Sequence, residues 1–428
     1  MAIGYTHICR CRLPVTGMPR VAYDIIVVGA GPSGSLAAYR LAAAGARVAI
    51  IDASQFPREK PCGGGLQQRS LVRIPFGLGP VLRGALNHLA LSHGLGECRR
   101  LSYPEPLVYP VLRSEFDHYL LEAAIRVGAQ FIPGVKVSAV RQDAADHAVV
   151  ETDSGPLRSS FVVGADGANS VVSRILNKRS DYFWQAGLYC EMPESAVNPE
   201  SIDIATMRVD WGSLPSGYAW AFPKRGSVNV GVGCPIHMGK MLRPYLAKFL
   251  SVERIVRDGR IGSLRFRGHQ LPTLTKRTRL AKGSVLLVGD AAGMVEPLTG
   301  DGISYACHSA QIAAEVIMQS LGQCRFDLAN YEQRVRREIA DDLVWAKRLM
   351  SLTVAFSRSI FGVVTRNEYV WETFCKVLRG DTSFQGLTRA VMGPLSAFRH
   401  PVQALVGHLE RHRPRAHESI LLDSLGES

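Results

Sequence analysis

The chain has 428 residues, of which 46% are hydrophobic and 20% charged, so it is long enough for two or three domains and is not a disordered protein. Lysine and arginine number 50 against 37 acidic residues, and the net charge of +13 favours anionic partners: nucleotide phosphates, an acidic protein or an anionic membrane surface. The sequence has no basic–aromatic pattern that would read bases, so a nucleic-acid partner is not expected. The nine cysteines are scattered, which argues against a metal site or a disulfide framework.

The apolar segments are too short or too interrupted to predict a membrane span. The nearest candidate, Leu349–Val364, contains Arg358 and stays below the roughly 18 to 20 apolar residues that a bilayer requires. Met18 precedes the first predicted strand, so we interpret residues 1–19 as a disordered extension and leave open whether residues 1–17 are translated. The expected location is cytoplasmic, with peripheral attachment to a membrane left open.

The first predicted elements form a βαβ unit. An apolar strand at Tyr23–Val28 leads into a helix of small residues at Ser35–Ala44, and a second buried strand follows at Arg47–Asp52. The turn after the first strand has the spacing G-x-G-x-x-G, formed by Gly29, Gly31 and Gly34. This order of strand, glycine turn, helix, strand and terminal acid is typical of dinucleotide-binding domains.

Each position of that pattern has a physical role. Gly29 permits the tight turn, and Gly31 lets the backbone approach a pyrophosphate at the positive N-terminus of the helix. Gly34 lets the helix pack closely on the sheet. Asp52, at the carboxyl end of the second strand, is placed to accept hydrogen bonds from a ribose.

Three further features follow before the middle of the chain. Cys62 precedes three glycines, a loop that either lies against a flat or charged group or is a flexible turn. A predicted helix begins at Arg113, whose side chain either points at a bound cofactor or forms a surface salt bridge. A buried strand at residues 161–164 then ends in a turn that carries Asp166.

Residues 177–280 have the alternating pattern of a mainly antiparallel sheet. Within them Tyr218, Trp220 and Phe222 alternate with small residues. Because successive side chains of a strand point to opposite faces, the three rings share one face. The segment is either an ordinary buried edge strand or the wall of a substrate pocket.

The chain returns to the first domain after residue 280. An apolar strand ends at Gly289-Asp290, and a glycine-rich turn then leads into a predicted helix at residues 304–319. Asp290 is placed to bond a polyol chain, and the amides of Gly302 and Ile303 are placed to face an electron-rich ring oxygen. From about residue 330 the chain is predicted to be helical, with a basic end at residues 408–417.

Taken together, these motifs resemble those of a known superfamily. In this order, Gly29-x-Gly31-x-x-Gly34, Gly164-x-Asp166-Gly167 and Gly289-Asp290 resemble the fingerprint of the FAD-dependent hydroxylase superfold over residues 20–330. Within it, Lys60-Pro-Cys62-Gly-Gly-Gly65 and the P-x-x-Y-x-W-x-F-P stretch at Pro215–Pro223 are similar to the geranylgeranyl reductase family, whose members saturate double bonds of prenyl chains. The related flavin-dependent halogenases and tryptophan hydroxylases carry a W-x-W-x-I-P strand at that place.

The resemblance implies an α/β fold with three parts. These are a Rossmann-type FAD-binding domain, an inserted, mainly antiparallel β-sheet substrate domain and a C-terminal helical region. We place the FAD-binding domain at residues 20–176 and 281–330, the substrate domain at residues 177–280, and the helical region with its basic tail at residues 331–428.

The resemblance also implies roles for single residues. It implies FAD contacts at Gly29, Gly31, Gly34, Asp52, Arg113, Asp166, Asp290 and Gly302. It puts Cys62 close to the flavin ring and Tyr218, Trp220 and Phe222 against the substrate, so the candidate catalytic residues are Cys62, Tyr218 and Trp220. The chain departs from the family at Asp52 and Asp301, where glutamate is usual, and neither change threatens FAD binding.

Two reaction classes remain open at this point. A prenyl reductase would add a hydride from reduced flavin and a proton relayed by Tyr218 or Cys62, with external NAD(P)H or ferredoxin as electron donor. A monooxygenase would activate oxygen and stack an aromatic substrate on the strand, for example a peptidyl tryptophan of an acidic partner protein during quinone-cofactor maturation. Quinone-linked electron transfer and a non-catalytic FAD protein are further alternatives.

Overall fold

The computed structural model describes residues 23–142, 147–259, 261–323 and 328–395. The predicted extension at residues 1–19 and the basic end at residues 408–417 lie outside the described residues. In chain order the strands are β1 (Tyr23–Val28), β2 (Val48–Asp52), β3 (Gly65–Gln67), β4 (His88–His93), β5 (Cys98–Ser102), β6 (Val108–Pro110), β7 (Gln130–Pro133), β8 (Val137–Gln142), β9 (Ala148–Thr152), β10 (Leu157–Gly164), β11 (Tyr182–Pro193), β12 (Thr206–Trp211), β13 (Tyr218–Lys224), β14 (Ser227–Pro235), β15 (Arg267–Leu274), β16 (Ala281–Lys282) and β17 (Val285–Leu287).

The α-helices alternate with the strands in the first part of the chain and follow one another at its end. They are α1 (Pro32–Ala43), α2 (Gln68–Leu71), α3 (Arg113–Arg126), α4 (Leu242–Val252), α5 (Ile303–Gly322), α6 (Ala329–Val335), α7 (Asp341–Ala355), α8 (Ser357–Arg366), α9 (Glu368–Arg379) and α10 (Phe384–Leu395).

The first sheet has eight strands in the order β16-β17-β10-β1-β2-β7, with β9 joined to β10 and β8 to β9. Its centre is parallel, since β1 pairs in parallel with β2 and β10, and β10 with β17. The residues Ile25, Ile26 and Val27 are fully buried, as the continuous apolar run of β1 predicts for a parallel strand. The carboxyl ends of β1, β2, β10 and β17 therefore meet at one edge, which is where open α/β sheets bind ligands.

The second sheet has seven strands in the order β15-β11-β14-β13-β12-β4-β5. Its pairs are antiparallel except for β12 and β4, which run in parallel. The predicted boundary at residues 177–280 is wrong here, because β4 and β5 belong to this sheet although they lie within residues 20–176. The strand β12, which joins β4 to the rest of this sheet, is more than a hundred residues away in sequence, so no local pattern encodes the contact.

The C-terminal helices α7 to α10 pack together around a small apolar core that includes Leu349, Val370 and Phe384. This core also contacts Trp211 at the end of β12, so the helices lie against the second sheet. In the part of the chain that the structure describes, no helix has both the length and the apolar composition needed to cross a bilayer. The predicted α/β class, with a mainly antiparallel second sheet and a C-terminal helical region, is confirmed.

Candidate functional site

A cavity of about 650 Å³ lies between the two sheets and the C-terminal helices. Its volume is within the range of roughly 300 to 1,000 Å³ that small-molecule and cofactor sites occupy. One end is lined by the glycine turn after β1, the acids at the carboxyl ends of β2 and β17, and several cationic side chains. The other end is lined almost entirely by apolar residues.

The glycine turn brings the N-terminus of α1 to the cavity. Gly29 has a φ of 102°, and a Cβ atom there would lie 2.3 Å from the carbonyl oxygen of Ala165. A Cβ atom at Gly34 would lie 1.9 Å from the carbonyl oxygen of Gly29, so close packing requires glycine at both positions. Gly31 lines the cavity, and the nearest neighbour of a Cβ atom there would be a guanidinium nitrogen of Arg58 at 3.6 Å. No side chain caps α1, so its first amides remain available to an anion.

The carboxylate of Asp52 lines the cavity and also holds the glycine turn. Its Oδ2 accepts a hydrogen bond from the amide of Ala30 at 2.8 Å, and its Oδ1 accepts one from the amide of Ser54 at 2.8 Å. Asp52 therefore has a structural role in addition to its predicted ribose contact. Sequence reasoning missed that role.

A buried cationic group lies beside the glycine turn. Arg113 donates two hydrogen bonds to Asp117, at 2.7 and 2.8 Å, and Arg58 lies 3.2 Å from the same carboxylate. Asp117 is fully buried. Burial opposes the charge on Arg113, but Asp117 and Cys62 outweigh it and raise the pKa of the guanidinium above its usual value. Two guanidinium groups share one carboxylate, so this part of the cavity carries excess positive charge. Arg113 lines the cavity, so its predicted cofactor contact stays a prediction, and the alternative of a surface salt bridge is wrong because the ion pair is buried. Asp117, one helical turn after Arg113, was missed.

A second polar group surrounds Asp290 at the end of β17. The Nζ atom of Lys60 lies 2.5 Å from Nε2 of His269, and the same His269 nitrogen lies 3.7 Å from Oδ2 of Asp290. All three side chains line the cavity. Burial lowers the pKa of Lys60 to about 8, against the attraction of Asp290. Burial would raise the pKa of Asp290, but His269, Lys60 and Arg113 hold it below its ordinary value, so Asp290 is an ionised acceptor.

Asp166 also lines the cavity, but its carboxylate is bonded within its own turn. The acceptor Oδ2 takes hydrogen bonds from the amides of Val171 at 2.6 Å and Val172 at 3.2 Å. The hydroxyl of Ser170 donates to Oδ1. Burial raises the pKa of Asp166 despite these bonds. The carboxylate of Asp166 is therefore engaged within the turn, so the backbone of the turn is more available for the predicted cofactor contact than the Asp166 side chain is.

The loop before α5 is held by a carboxylate that sequence reasoning missed. Glu296 is fully buried, and its Oε2 accepts hydrogen bonds from the amide of Thr299 at 2.8 Å and from the hydroxyl of the same residue at 2.5 Å. Gly302 and Ile303 follow at the N-terminus of α5 and line the cavity. A Cβ atom at Gly302 would lie 3.3 Å from Oδ1 of Asp290, so the second glycine turn and the β17 acid face the same space.

The three aromatic residues of β13 form one wall of the cavity. The ring centroids of Tyr218 and Trp220 are 5.7 Å apart, and those of Trp220 and Phe222 are 6.1 Å apart with an interplanar angle of 29°. The prediction that the rings share a face agrees with these contacts. The loop after Cys62 packs flat against them, since a Cβ atom at Gly63 would lie 3.3 Å from both Trp220 and Phe222.

The two candidate proton donors differ in their surroundings. The hydroxyl of Tyr218 donates to the carbonyl oxygen of Thr299, and burial raises the pKa of that hydroxyl above its usual value, so Tyr218 keeps its proton. Cys62 lines the cavity, and its sulfur accepts a hydrogen bond from the amide of Gly64 at 3.3 Å. The hydroxyl of Tyr218 thus donates a hydrogen bond to the protein, whereas the sulfur of Cys62 accepts one.

The apolar end of the cavity combines strands and helices that are far apart in sequence. The second sheet contributes side chains of β4 and β12, and the C-terminal helices contribute the rest. The lining residues are Leu89, Leu91, Met207, Val209, Leu349, Ile360, Val364, Phe374, Leu378, Leu387 and Val391. We call this region the apolar arm. Sequence reasoning missed it, although apolar residues at helical spacing in α8 and α9 were a visible signal.

The cationic end fits the cofactor FAD. The N-terminus of α1 and the guanidinium groups of Arg58 and Arg113 line the cavity and suit a pyrophosphate. The N-terminus of α5 lines it too, and its amides suit an electron-rich ring oxygen. Acids at the ends of β2 and β17 supply acceptors for the hydroxyl groups of a ribose and a polyol chain. Among the described residues, Oδ2 of Asp301 is buried without a hydrogen-bond partner beside this space.

Comparisons with known proteins agree with this reading. The family described as an FAD binding domain matches residues 22–183. The chain is 34% identical to an uncharacterized protein of Methanosarcina barkeri over 319 residues, which is 74% of this chain and 80% of the relative. It is 32% identical to the menaquinone reductase of Mycolicibacterium smegmatis, covering 69% of this chain and 76% of the relative. It is 29% identical to the digeranylgeranylglycerophospholipid reductase of Methanococcus vannielii, covering 73% and 82%.

Solved structures share the fold. A geranylgeranyl bacteriochlorophyll reductase-like protein of Thermoplasma acidophilum superimposes with a TM-score of 0.69 at 21% identity, over 91% of this chain and 98% of the other. A flavin-dependent brominase superimposes with a TM-score of 0.67 at 18% identity, over 89% of this chain and 99% of the other. At these identities the likeness concerns the fold and not the reaction.

Proposed function

This chain belongs to the geranylgeranyl reductase family of FAD-dependent oxidoreductases, and we propose that it reduces C=C bonds of a prenyl chain. The observation that carries the proposal is the apolar arm, which continues from the aromatic wall into the C-terminal helices. A prenyl chain is long, apolar and unbranched apart from methyl groups, and it matches a cavity of this lining. An aromatic substrate of one or two rings would need only the space beside β13.

Burial supplies the energy that positions such a substrate. Transfer of each CH₂ group from water into the apolar arm contributes about 0.8 kcal/mol, so several isoprene units would bind tightly without any polar contact. Side chains such as Met207, Ile360 and Phe374 also exclude water from the reacting bond. The contribution of the protein is thus to hold one double bond of the prenyl chain at a fixed place against the aromatic wall.

Reduction of an alkene requires a hydride on one carbon and a proton on the other. FAD, when bound and reduced, supplies the hydride. We assign the proton to the thiol of Cys62, which lines the cavity beside Trp220, while the hydroxyl of Tyr218 is engaged with Thr299. Trp220 and Phe222 would form the wall that keeps the alkene in plane.

The electron donor and the place of reaction are part of the proposal. The described residues contain one dinucleotide-type glycine turn into a helix after β1, so NAD(P)H or a ferredoxin would approach from outside rather than occupy a second such domain. The net charge of +13 supports a surface that meets anionic lipid, where prenyl substrates reside, or an acidic partner protein.

The test is an anaerobic turnover of the flavin-loaded protein with a menaquinone or a geranylgeranylated lipid and a chemical reductant. We expect product masses that rise by two hydrogens for each bond reduced, and loss of product in Trp220→Ala with unchanged flavin content. Trp184→Ala is the matched control, because the Trp184 indole donates to the carbonyl of Arg179 and does not line the cavity. Oxygen-dependent addition of one oxygen atom to an aromatic substrate, with prenyl chains untouched, would identify a monooxygenase instead.

A further inference from the structure

A buried amide connects the aromatic wall to the loop that carries Cys62. Asn229 on β14 is fully buried. Its Oδ1 accepts a hydrogen bond from the Trp220 indole at 2.9 Å, and its Nδ2 donates to the carbonyl oxygen of Cys62 at 3.1 Å. The same nitrogen donates to Oε2 of Glu191 at 2.8 Å. One side chain thus contacts both the wall and the loop.

An amide satisfies all three partners, because its oxygen accepts and its NH₂ group donates twice, whereas a hydroxyl has only one proton to donate. An indole N–H is a donor only and a backbone carbonyl is an acceptor only, so the connecting group must accept on one side and donate on the other. A carboxylate at position 229 would lack the donor, and an ammonium would lack the acceptor. An apolar residue would leave two buried groups without partners.

A neighbouring ion pair fixes the direction in which the amide points. The carboxylate of Glu191 accepts from Nζ of Lys224 at 2.8 Å and from the hydroxyl of Ser227 at 2.6 Å. Lys224 is almost fully buried, and its ammonium group lies against this carboxylate. Glu191 is an acceptor only, and the amide nitrogen of Asn229 must face it. The oxygen is then directed at Trp220.

The space around the indole is narrow on both sides. A Cβ atom at Gly63 would lie 3.3 Å from Nε1 of Trp220, and one at Gly231 would lie 2.2 Å from its ring. The ring is therefore confined between the Cys62 loop and β14. Any shift of the loop changes the gap between the thiol of Cys62 and the wall.

We propose that Asn229 is a positioning residue that holds the Cys62 loop at a fixed distance from Trp220 and thereby sets the place at which a substrate double bond meets the flavin. Asn229 contacts the indole N–H of Trp220 and the carbonyl oxygen of Cys62 rather than the thiol, so it acts on the substrate only through these two residues. The mechanistic part of this inference rests on the proposed prenyl reduction, whereas the coupling of loop and wall does not.

The test measures the chemical reactivity of Cys62 in the flavin-loaded protein. Alkylation by iodoacetamide is followed for each cysteine by peptide mass spectrometry, with the exposed Cys98 as internal reference. We expect Asn229→Leu to raise the Cys62 rate relative to Cys98 about fivefold, the factor that corresponds to losing one hydrogen bond of about 1 kcal/mol. Asn229→Asp should do the same, since it keeps an acceptor for Trp220, loses the donor to the loop and places a second carboxylate beside Glu191.

Asn177→Leu is the matched control. Asn177 is also buried and makes hydrogen bonds of 3.0 Å to the hydroxyl of Tyr182 and 2.9 Å to the carbonyl of Arg279, but it does not line the cavity. An equal rise in Asn177→Leu, or no rise in either Asn229 variant at full flavin content, would overturn the inference. If one of the two Asn229 variants does not fold, the other carries the test alone.

A second measurement separates this inference from the proposed function. With a prenyl substrate, kcat should fall about tenfold in Asn229→Asp while KM stays within about twofold, because the apolar arm is intact and only the position of the bond changes. Should the wild type reduce no prenyl chain, the proposed function fails, and the alkylation result still decides whether Asn229 couples the loop to the wall.

Discussion

At the scale of single residues, Asp290 has the most direct consequence for cofactor binding. Its carboxylate lines the cavity at the end of β17 and is kept ionised by His269 and Lys60. We expect Asp290→Ala to be purified with less than about a tenth of the wild-type flavin, since a buried charged hydrogen bond is worth about 1.5 to 3 kcal/mol. The flavin-to-protein absorbance ratio measures this.

Asp24→Ala is the matched control for that measurement. Asp24 pairs with Arg47 at 2.7 Å at the opposite end of the same sheet, where both side chains are solvent-accessible. Its removal should leave the flavin content unchanged. Normal flavin content in Asp290→Ala would mean that the acid at the end of β17 does not bind the cofactor.

Glu296 predicts a pH dependence of stability. Burial raises the pKa of this carboxyl to about 7, despite hydrogen bonds from Thr299 and Leu298. A folded-state pKa above the unfolded value means that the folded protein holds the proton more tightly, so stability is full below about pH 4.5 and falls as pH rises through about 7. The shift corresponds to about 3 kcal/mol.

We therefore expect the free energy of unfolding of the wild type to fall by about 3 kcal/mol relative to that of Glu296→Gln as the pH rises from 5 to 8. Denaturant titrations of both proteins across this range measure the difference. Loss of the acceptor for the Thr299 amide adds a constant offset that does not depend on pH. The exposed Glu194→Gln should show no such slope. Parallel curves for Glu296→Gln and the wild type would contradict the assignment.

The site residues that were predicted from the sequence and those that were missed differ in how far apart along the chain their partners lie. Gly29, Gly31 and Asp52 belong to one local βαβ unit, whose spacing alone places them at a sheet edge. Asp117 was missed although it lies on the helix that Arg113 begins, because a carboxylate on an amphipathic helix is ordinarily exposed. Asn229 was missed because its partners Trp220 and Cys62 come from separate segments.

At the scale of elements, Arg69 on α2 connects the FAD-binding part to the C-terminal helices. It donates to the hydroxyl of Tyr305 at 2.8 Å, lies 3.5 Å from Asp342 and also donates to the carbonyl of Val377. We expect Arg69→Met to lower the free energy of unfolding by about 3 kcal/mol, the cost of leaving a buried ion pair with one partner. Urea titration followed by fluorescence measures the loss.

Arg99→Met provides the comparison for Arg69. Arg99 pairs with Glu97 at 2.8 Å on the surface of β5, and such exposed pairs contribute at most about 1 kcal/mol. An equal effect of the two substitutions would mean that Arg69 does not join the helices to the rest of the molecule.

The same elements mark where prediction from sequence ended. The strands β1 and β2 were predicted close to their observed bounds, and the end of β10 at Gly164 was predicted although its start was not, because apolar runs are local signals. The entry of β4 and β5 into the second sheet was not predicted, since strand pairing depends on register with a distant partner. The local pattern thus decides the type of an element, and the rest of the chain decides its neighbour.

At the scale of the whole molecule, the apolar arm exists only because three parts of the chain meet. Strands β4 and β12 form one side of it, and helices α7 to α10 form the other. None of these three parts alone would enclose an apolar chain. The flavin-facing end is built from a different part of the chain, so substitutions in the arm should change substrate length preference without changing flavin binding.

Val364→Trp tests that separation. Val364 on α8 lines the arm, whereas its neighbour Thr365 does not. We expect Val364→Trp to lower kcat/KM for a long prenyl chain about a hundredfold, since an isoprene unit displaced into water forfeits about 3 kcal/mol. A substrate with a single isoprene unit, which ends before the arm, should react at the wild-type rate, and flavin content should be normal. Thr365→Trp adds the same bulk on an adjacent face of α8 and should leave both substrates unaffected. If Val364→Trp slows the short and the long substrate equally, the arm does not hold the chain, and the double bond must enter beside β13 by another route.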